Sequence, residues 1–143
     1  MSVPSWEREL SKTQYIYEAY KMCIDIGHIV ASHPKKYRMN YGDTLIQQSL
    51  EMLSYCRLAN SIYVNSKTSE EDFLRRKEYL CKARTLASNL SSIADIYLGL
   101  CYNLDGVRRE KIERQQRRIG SGAVDVQKLI SGVLKSDRES RSR

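Results

Sequence analysis

His33-Pro34-Lys35-Lys36-Tyr37-Arg38-Met39-Asn40-Tyr41-Gly42-Asp43 separates two long stretches of helical hydrophobic periodicity. Pro34 disfavours the α region for His33, so the first helix is predicted to stop there. Asn40, three residues before Asp43, reads as the start of the next. Its short polar side chain suits a cap, and the carboxylate falls in a positive first turn. Lys35, Lys36 and Arg38 then form a cationic corner at one end of a helix pair, with Tyr37 and Tyr41 available for packing or stacking. On the connector alone, a solvated turn and a contact surface read equally well.

Working outward, four helical patterns appear. The first runs from about Ser5 to Ser32, with Leu10, Tyr17, Tyr20, Ile24, Gly27 and Ala31 on one stripe and Ile16, Cys23 and Val30 beside it. The second, from about Tyr41 to Val64, carries Leu45, Ile46, Leu50, Leu53, Cys56, Ala59 and Tyr63. A polar turn follows, in which Thr68 and Glu71 fit a capping box. The third, from about Ser69 to Leu104, carries Phe73, Leu80, Ala83, Ala87, Leu90, Ala94, Tyr97 and Cys101, and Asp105-Gly106 breaks it. The fourth, to about Ser136, carries Ile112, Ile119, Ala123, Val126, Ile130 and Val133. These stripes have the width of core faces rather than of a coiled-coil seam. Long helices joined by short connections become antiparallel neighbours, which predicts an all-α, up-down-up-down four-helix bundle over residues 1–136.

Two prolines and seven glycines in 143 residues are too few for the turns of an all-β chain. No apolar run approaches the roughly 20 residues of a membrane span. Met1 to Glu9 contains no hydrophobic signal region, so a cytoplasmic location is expected. Cys23, Cys56, Cys81 and Cys101 are widely spaced, without a C-x-x-C pair or a nearby histidine. Reduced, buried thiols are expected rather than a zinc site. Residues 137–143 lack apolar side chains and are predicted to be a disordered basic tail.

The formal net charge is +7, and its placement is uneven. Val107 to Arg143 holds eleven Lys/Arg against five Asp/Glu, so nearly all the excess lies in the last quarter. A concentrated positive field attracts a polyanion, and nucleic acid is the commonest one. The candidate contact residues are Lys35, Lys36 and Arg38 in the connector, with Arg108, Arg109, Lys111, Arg114, Arg117 and Arg118 on the fourth helix. Ile112 and Ile119 must face the core, which turns Arg108, Arg114, Arg117 and Arg118 mostly outward. A basic solvated face without a partner is the competing interpretation.

Catalytic constellations are missing. His28 and His33 have no carboxylate or nucleophile at a telling spacing, and no Glu-x-x-His pair marks a di-metal bundle site. Glu70-Glu71-Asp72 suits an acidic first helical turn. Gly120-Ser121-Gly122 follows no strand and precedes no Gly-Lys-Ser/Thr, so a small-residue contact or kink is expected, not a phosphate loop. These readings predict a protein that is not an enzyme and needs no metal or other cofactor. Apolar residues lie off the main stripes as well: Met52, Leu58, Ile62 and Val64 in the second helix, and Leu74, Leu86, Ile93, Ile96, Leu98 and Leu100 in the third. Such a surplus predicts a subunit interface.

Together these features resemble a known family. Pro34-Lys35-Lys36-Tyr37-Arg38 with Tyr41-Gly42-Asp43 opening a helix, Arg57-x-Ala59-Asn60, Arg76-Lys77-Glu78-Tyr79-Leu80-Cys81-Lys82-Ala83 and Ser131-Gly132-Val133-Leu134-Lys135-Ser136 occur in order and on the matching helices. They resemble motifs of the accessory variability determinant (Avd) proteins of diversity-generating retroelements, over roughly Leu10 to Ser136. Two positions depart from that pattern: Val133 replaces an aromatic residue, and Ser91-Ser92 stand where an arginine is usual. The ribosomal-RNA intervening-sequence proteins share the bundle and are the nearest alternative family.

The resemblance implies a homopentamer of four-helix bundles in a tapered barrel, without catalytic activity. It also implies binding to the retroelement's reverse transcriptase and to template RNA or DNA, in support of mutagenic cDNA synthesis. Repeating a basic patch around a ring would raise avidity without high affinity per subunit. Contacts mostly to phosphate would carry little base specificity. Two other classes remain open: a structural oligomer that binds only protein, and a small-molecule or metal-binding bundle enzyme, the latter opposed by the apolar core stripes.

Overall fold

In a computed structural model, the backbone is described for residues 5–142 and the side chains for residues 12–142. Four helices account for almost all of it: α1 (Ser5–Ala31), α2 (Asp43–Asn60), α3 (Glu70–Asp105) and α4 (Arg109–Ser142), with no strand among the described residues. Each packs against its neighbours in sequence, and α4 closes back on α1. Long-range bonds fix the antiparallel sense. Tyr15 donates to the Cys56 carbonyl (3.4 Å), and the Cys23 thiol lies 3.1 Å from the Ser49 carbonyl.

The core is assembled from the expected stripes of α3 and α4. Leu80, Ala83, Ala87, Leu90, Ala94, Tyr97 and Cys101 are fully buried, as are Ile119, Ala123, Val126 and Ile130 to within a few per cent. Alternation of alanine with leucine along α3 lets neighbouring backbones approach while the larger side chains fill the gaps. Each fully buried Leu or Ile contributes about 1.5–3 kcal/mol relative to exposure.

The buried face of α1 differs from the expected one. Tyr15, Ala19, Met22, Ile26, Ile29 and Val30 enter the core, whereas Tyr17, Tyr20 and Ile24 are about half exposed. Helix α1 is apolar along two stripes, so a 3.6-residue period alone does not choose between them. Leu10, which the spacing also places on the outer stripe, lies outside the residues whose side chains are described. In α2, Met52 joins the core while Leu50 faces out, and the helix ends at Asn60, which leaves Tyr63 exposed in the loop beyond it. Of the surplus residues, Met52 and Leu98 are buried, and Leu58, Leu74 and Ile96 remain exposed.

The connector contains no Asn40 cap. Residues Lys35–Tyr37 form a 3-10 turn and Arg38–Gly42 a π turn, which runs directly into α2. From Tyr37 to Asp43 the terminal residues of these turns keep right-handed helical dihedrals, so no extended residue exists to act as a cap. A Cβ at Gly42 would lie 2.9 Å from Val30 Cγ1, so only glycine lets this turn sit against α1.

The α3 cap shifts by one residue. The Thr68 hydroxyl is engaged within the loop, accepting from the Asn65 N–H (2.7 Å) and lying 3.2 Å from the Tyr63 carbonyl. Ser69 instead accepts from the Asp72 N–H at 3.1 Å. Gly106, at φ 64°, ends α3 in the left-handed region. Helix α4 runs through Gly120 and Gly122 without a break. There the glycines face Ser91 of α3 and Met22 of α1, and an added Cβ would meet them at ordinary contact distance.

Of the predicted disordered tail, residues 137–142 instead continue α4, and Arg143 lies outside the described residues. The cause is long-range pairing invisible to local composition. Asp137 receives two bonds from Arg76 (2.6 and 3.2 Å), and Arg141 reaches Glu70, the Ser69 carbonyl and the Phe73 ring.

Candidate nucleic-acid interface

Antiparallel packing brings the α1–α2 connector and the start of α4 to the same end of the bundle. Three contacts tie them together. Lys36 Nζ lies 2.5 Å from Asp105 at the end of α3, Lys111 donates to the Ser32 carbonyl (3.2 Å), and Gln115 donates to Ser32 Oγ (3.1 Å). Lys35, Lys36, Arg38, Arg108, Arg109 and Lys111 therefore share one end. Arg114, Arg117 and Arg118 continue the positive charge along the exposed side of α4.

Acid partners divide these cations. Asp105 neutralises Lys36 and holds its ammonium above the ordinary lysine range through their hydrogen bond. Glu113 neutralises Arg109 at 2.9 Å, and Asp25 of α1 neutralises Arg118 at 3.0 Å. Among the described residues, Lys35, Arg38, Arg108, Lys111, Arg114 and Arg117 have no carboxylate within 4 Å. Six charges without an internal counterion on one end and flank are available to phosphate. The Arg109–Glu113 pair is exposed and therefore weak, so Arg109 can exchange partners at little cost, whereas the shielded Asp105 ties Lys36 more firmly.

Beneath this surface lies a polar strut that sequence reasoning left unused. His33 is buried, stands edge-on to the Tyr97 ring and lies 2.7 Å (Nε2) from Gln115 Oε1. Burial pushes its pKa below the ordinary histidine value, with Lys111 adding repulsion, while the Gln115 bond and Asp105 act the other way. A neutral ring donating through Nε2 fits this geometry. The only local signal was the histidine before Pro34, and its partner is 82 residues away. Tyr37 packs against the core edge, while Met39 and Tyr41 face solvent.

The remaining chemistry is quiet. All four cysteines are free; burial raises the Cys56 thiol to about 12, and burial also raises Cys23 and Cys101. Among the described residues no three His, Cys, Asp or Glu side chains converge as a metal site. No described helix is long and apolar enough to cross a membrane. Comparisons with family models, curated proteins and solved structures find no match to this chain.

Proposed function

We propose that this protein is a non-catalytic nucleic-acid-binding accessory factor that works with a reverse transcriptase in the cytoplasm. In this reading it holds template RNA, or its DNA copy, during mutagenic cDNA synthesis by a diversity-generating retroelement. The observation that carries it is the set of six cations without internal counterions on one end and flank of the bundle. Phosphates would be their natural partners, and the released counterions would drive association.

The same reading has the chain assembled as a homopentamer. Uncovered apolar side chains support an oligomer in general: Tyr17, Tyr20 and Ile24 on α1, Leu50 and Leu58 on α2, and Leu74 and Ile96 on α3. They also support the second reading, an oligomer that binds only protein, because an apolar face needs no polyanion.

A charge-reversal variant separates the two. Lys35→Glu with Arg38→Glu and Arg108→Glu leaves the Lys36–Asp105 pair in place. It is expected to weaken RNA binding by more than tenfold, with helicity and light-scattering mass unchanged. Unchanged affinity for RNA would sink the nucleic-acid reading. Binding of the reverse transcriptase by a wild-type chain that shows no affinity for RNA would favour the protein-only reading.

A further inference from the structure

Away from the connector end, α3 and α4 enclose a small cavity of about 200 Å³. Lys77, Cys81 and Arg84 recur at helical spacing along its α3 wall, and Ser131, Leu134 and Arg138 do so along its α4 wall. Arg84 spans the seam, its Nη1 donating to Ser131 Oγ at 3.3 Å. Its other terminal nitrogen lies 4.0 Å from the Cys81 sulfur.

The charges around this cavity do not balance. Asp137 is its one lining carboxylate, and Arg76 engages both of that group's oxygens. The acids of the first turns of α3 are taken by other cations: Glu78 by Lys82, Glu71 and Asp72 by Arg75, and Glu70 by Arg141. Lys77, Arg84 and Arg138 have no carboxylate within 4 Å among the described residues. None of them has an Asp or Glu three or four positions away in sequence either. Three like charges around one cavity repel each other, and an anion between them removes that cost. The volume lies below the roughly 300–1,000 Å³ of drug-sized pockets and suits a small multivalent anion. Lysine supplies a compact charge, and the arginines supply forked donors that match phosphate oxygens.

We propose that Lys77, Arg84 and Arg138 form a phosphate-binding pocket between α3 and α4. Ser131 is placed to donate a further hydrogen bond, and Leu134 and Phe73 close the apolar side. The phosphate belongs either to a nucleic-acid backbone or to a free anion such as inorganic phosphate or a mononucleotide. The pocket shares no residue with the connector end, so either site can fail without the other.

Cys81 provides the readout because its thiol lines the pocket, while Cys56 and Cys101 are fully buried. The full chain is treated with iodoacetamide at constant ionic strength, and modification of the Cys81 peptide is followed by mass spectrometry. Inorganic phosphate, a mononucleotide and a single-stranded RNA oligomer are added separately, with chloride as the control. Occupancy slows the reaction by one plus the ratio of ligand concentration to Kd, about tenfold at ten times Kd. Protection by phosphate or mononucleotide identifies a free-anion site, and protection by RNA alone identifies a backbone contact. In both cases Arg84→Gln and Arg138→Gln must abolish it, and Lys77→Gln, which touches no interhelical bond, must weaken it. Absence of protection by all three ligands, or protection that survives these substitutions, overturns the pocket. RNA binding that persists in that event, and still depends on Lys35, Arg38 and Arg108, leaves the connector-end reading standing.

Discussion

Arg76 shows how one side chain can join three elements. It donates to both Asp137 oxygens and to the carbonyls of Ala59 and Ile62, closing the end of α2 while holding the end of α4. Both members of the ion pair are largely shielded from solvent. Arg76→Ala would leave a shielded carboxylate unpaired, and a loss of about 3–5 kcal/mol in urea-unfolding stability is expected. Arg76→Lys should recover little of it, because an ammonium cannot reproduce the forked geometry. A loss below about 1 kcal/mol, the range of an exposed pair, would refute this assignment. Sequence reading saw Arg76 only within a motif, since Asp137 lies 61 residues away.

His33 makes a prediction about acid sensitivity. Its folded pKa is below the unfolded value of 6.5, so the unfolded chain binds the proton more readily. Stability from this group is complete above about pH 6.5 and declines as pH falls toward the folded pKa, by about 1.4 kcal/mol per unit of depression. Unfolding free energies at pH 7.5 and 5.5 should therefore converge more in His33→Leu than in the wild type. Equal acid sensitivity in both proteins would contradict a neutral, buried His33.

At the scale of elements, long periodic patterns were the most legible part of the chain. The α3 stripe from Leu80 to Cys101 and the α4 stripe from Ile112 to Ile130 are buried as their spacing predicts. Helix α4 has one plainly apolar side, and in α3 the alanine- and leucine-rich stripe is buried even though Leu74 and Ile96 lie off it and stay exposed. Helix α1 has two apolar sides, and the choice between them is made by partners on α2 and α4 that no local period encodes. The Thr68 cap failed for a related reason, because a loop hydrogen bond took the hydroxyl first.

The end of α4 is the sharpest test at this scale. Ending the chain after Ser136 removes Asp137 and Arg141, and with them the ties to Arg76, Glu70 and Ser69. Such a variant is expected to lose several kcal/mol of stability, comparable to Arg76→Ala because both break the same shielded pair. The two changes combined should cost less than their sum. A truncated chain as stable as the full one would return residues 137–143 to the status of a dispensable tail.

For the whole molecule, the sequence carried the charge excess but not its internal pairing. Lys36 and Arg118 face acids distant in sequence, only the Arg109–Glu113 pair stands at helical spacing, and of the pocket cations Lys77 and Arg84 lie outside the segment of highest charge density. Assembly is the second property at this scale. Light scattering over a dilution series should report a closed oligomer, five subunits in the proposed form, and a monomer near 16.6 kDa at micromolar concentration would contradict it.

The central claim is that the uncompensated cations of the connector end and α4 hold nucleic acid through phosphate. Its most direct test is the affinity for a single-stranded RNA oligomer measured across salt concentrations. For single strands the logarithmic slope is about 0.7 per phosphate contact. The wild type should show a steep linear decline, and replacing Lys35, Arg38, Arg108, Lys111, Arg114 and Arg117 by Gln should flatten it by several units while the fold is retained. A slope near zero in the wild type, or an unchanged slope in that variant, would contradict the account.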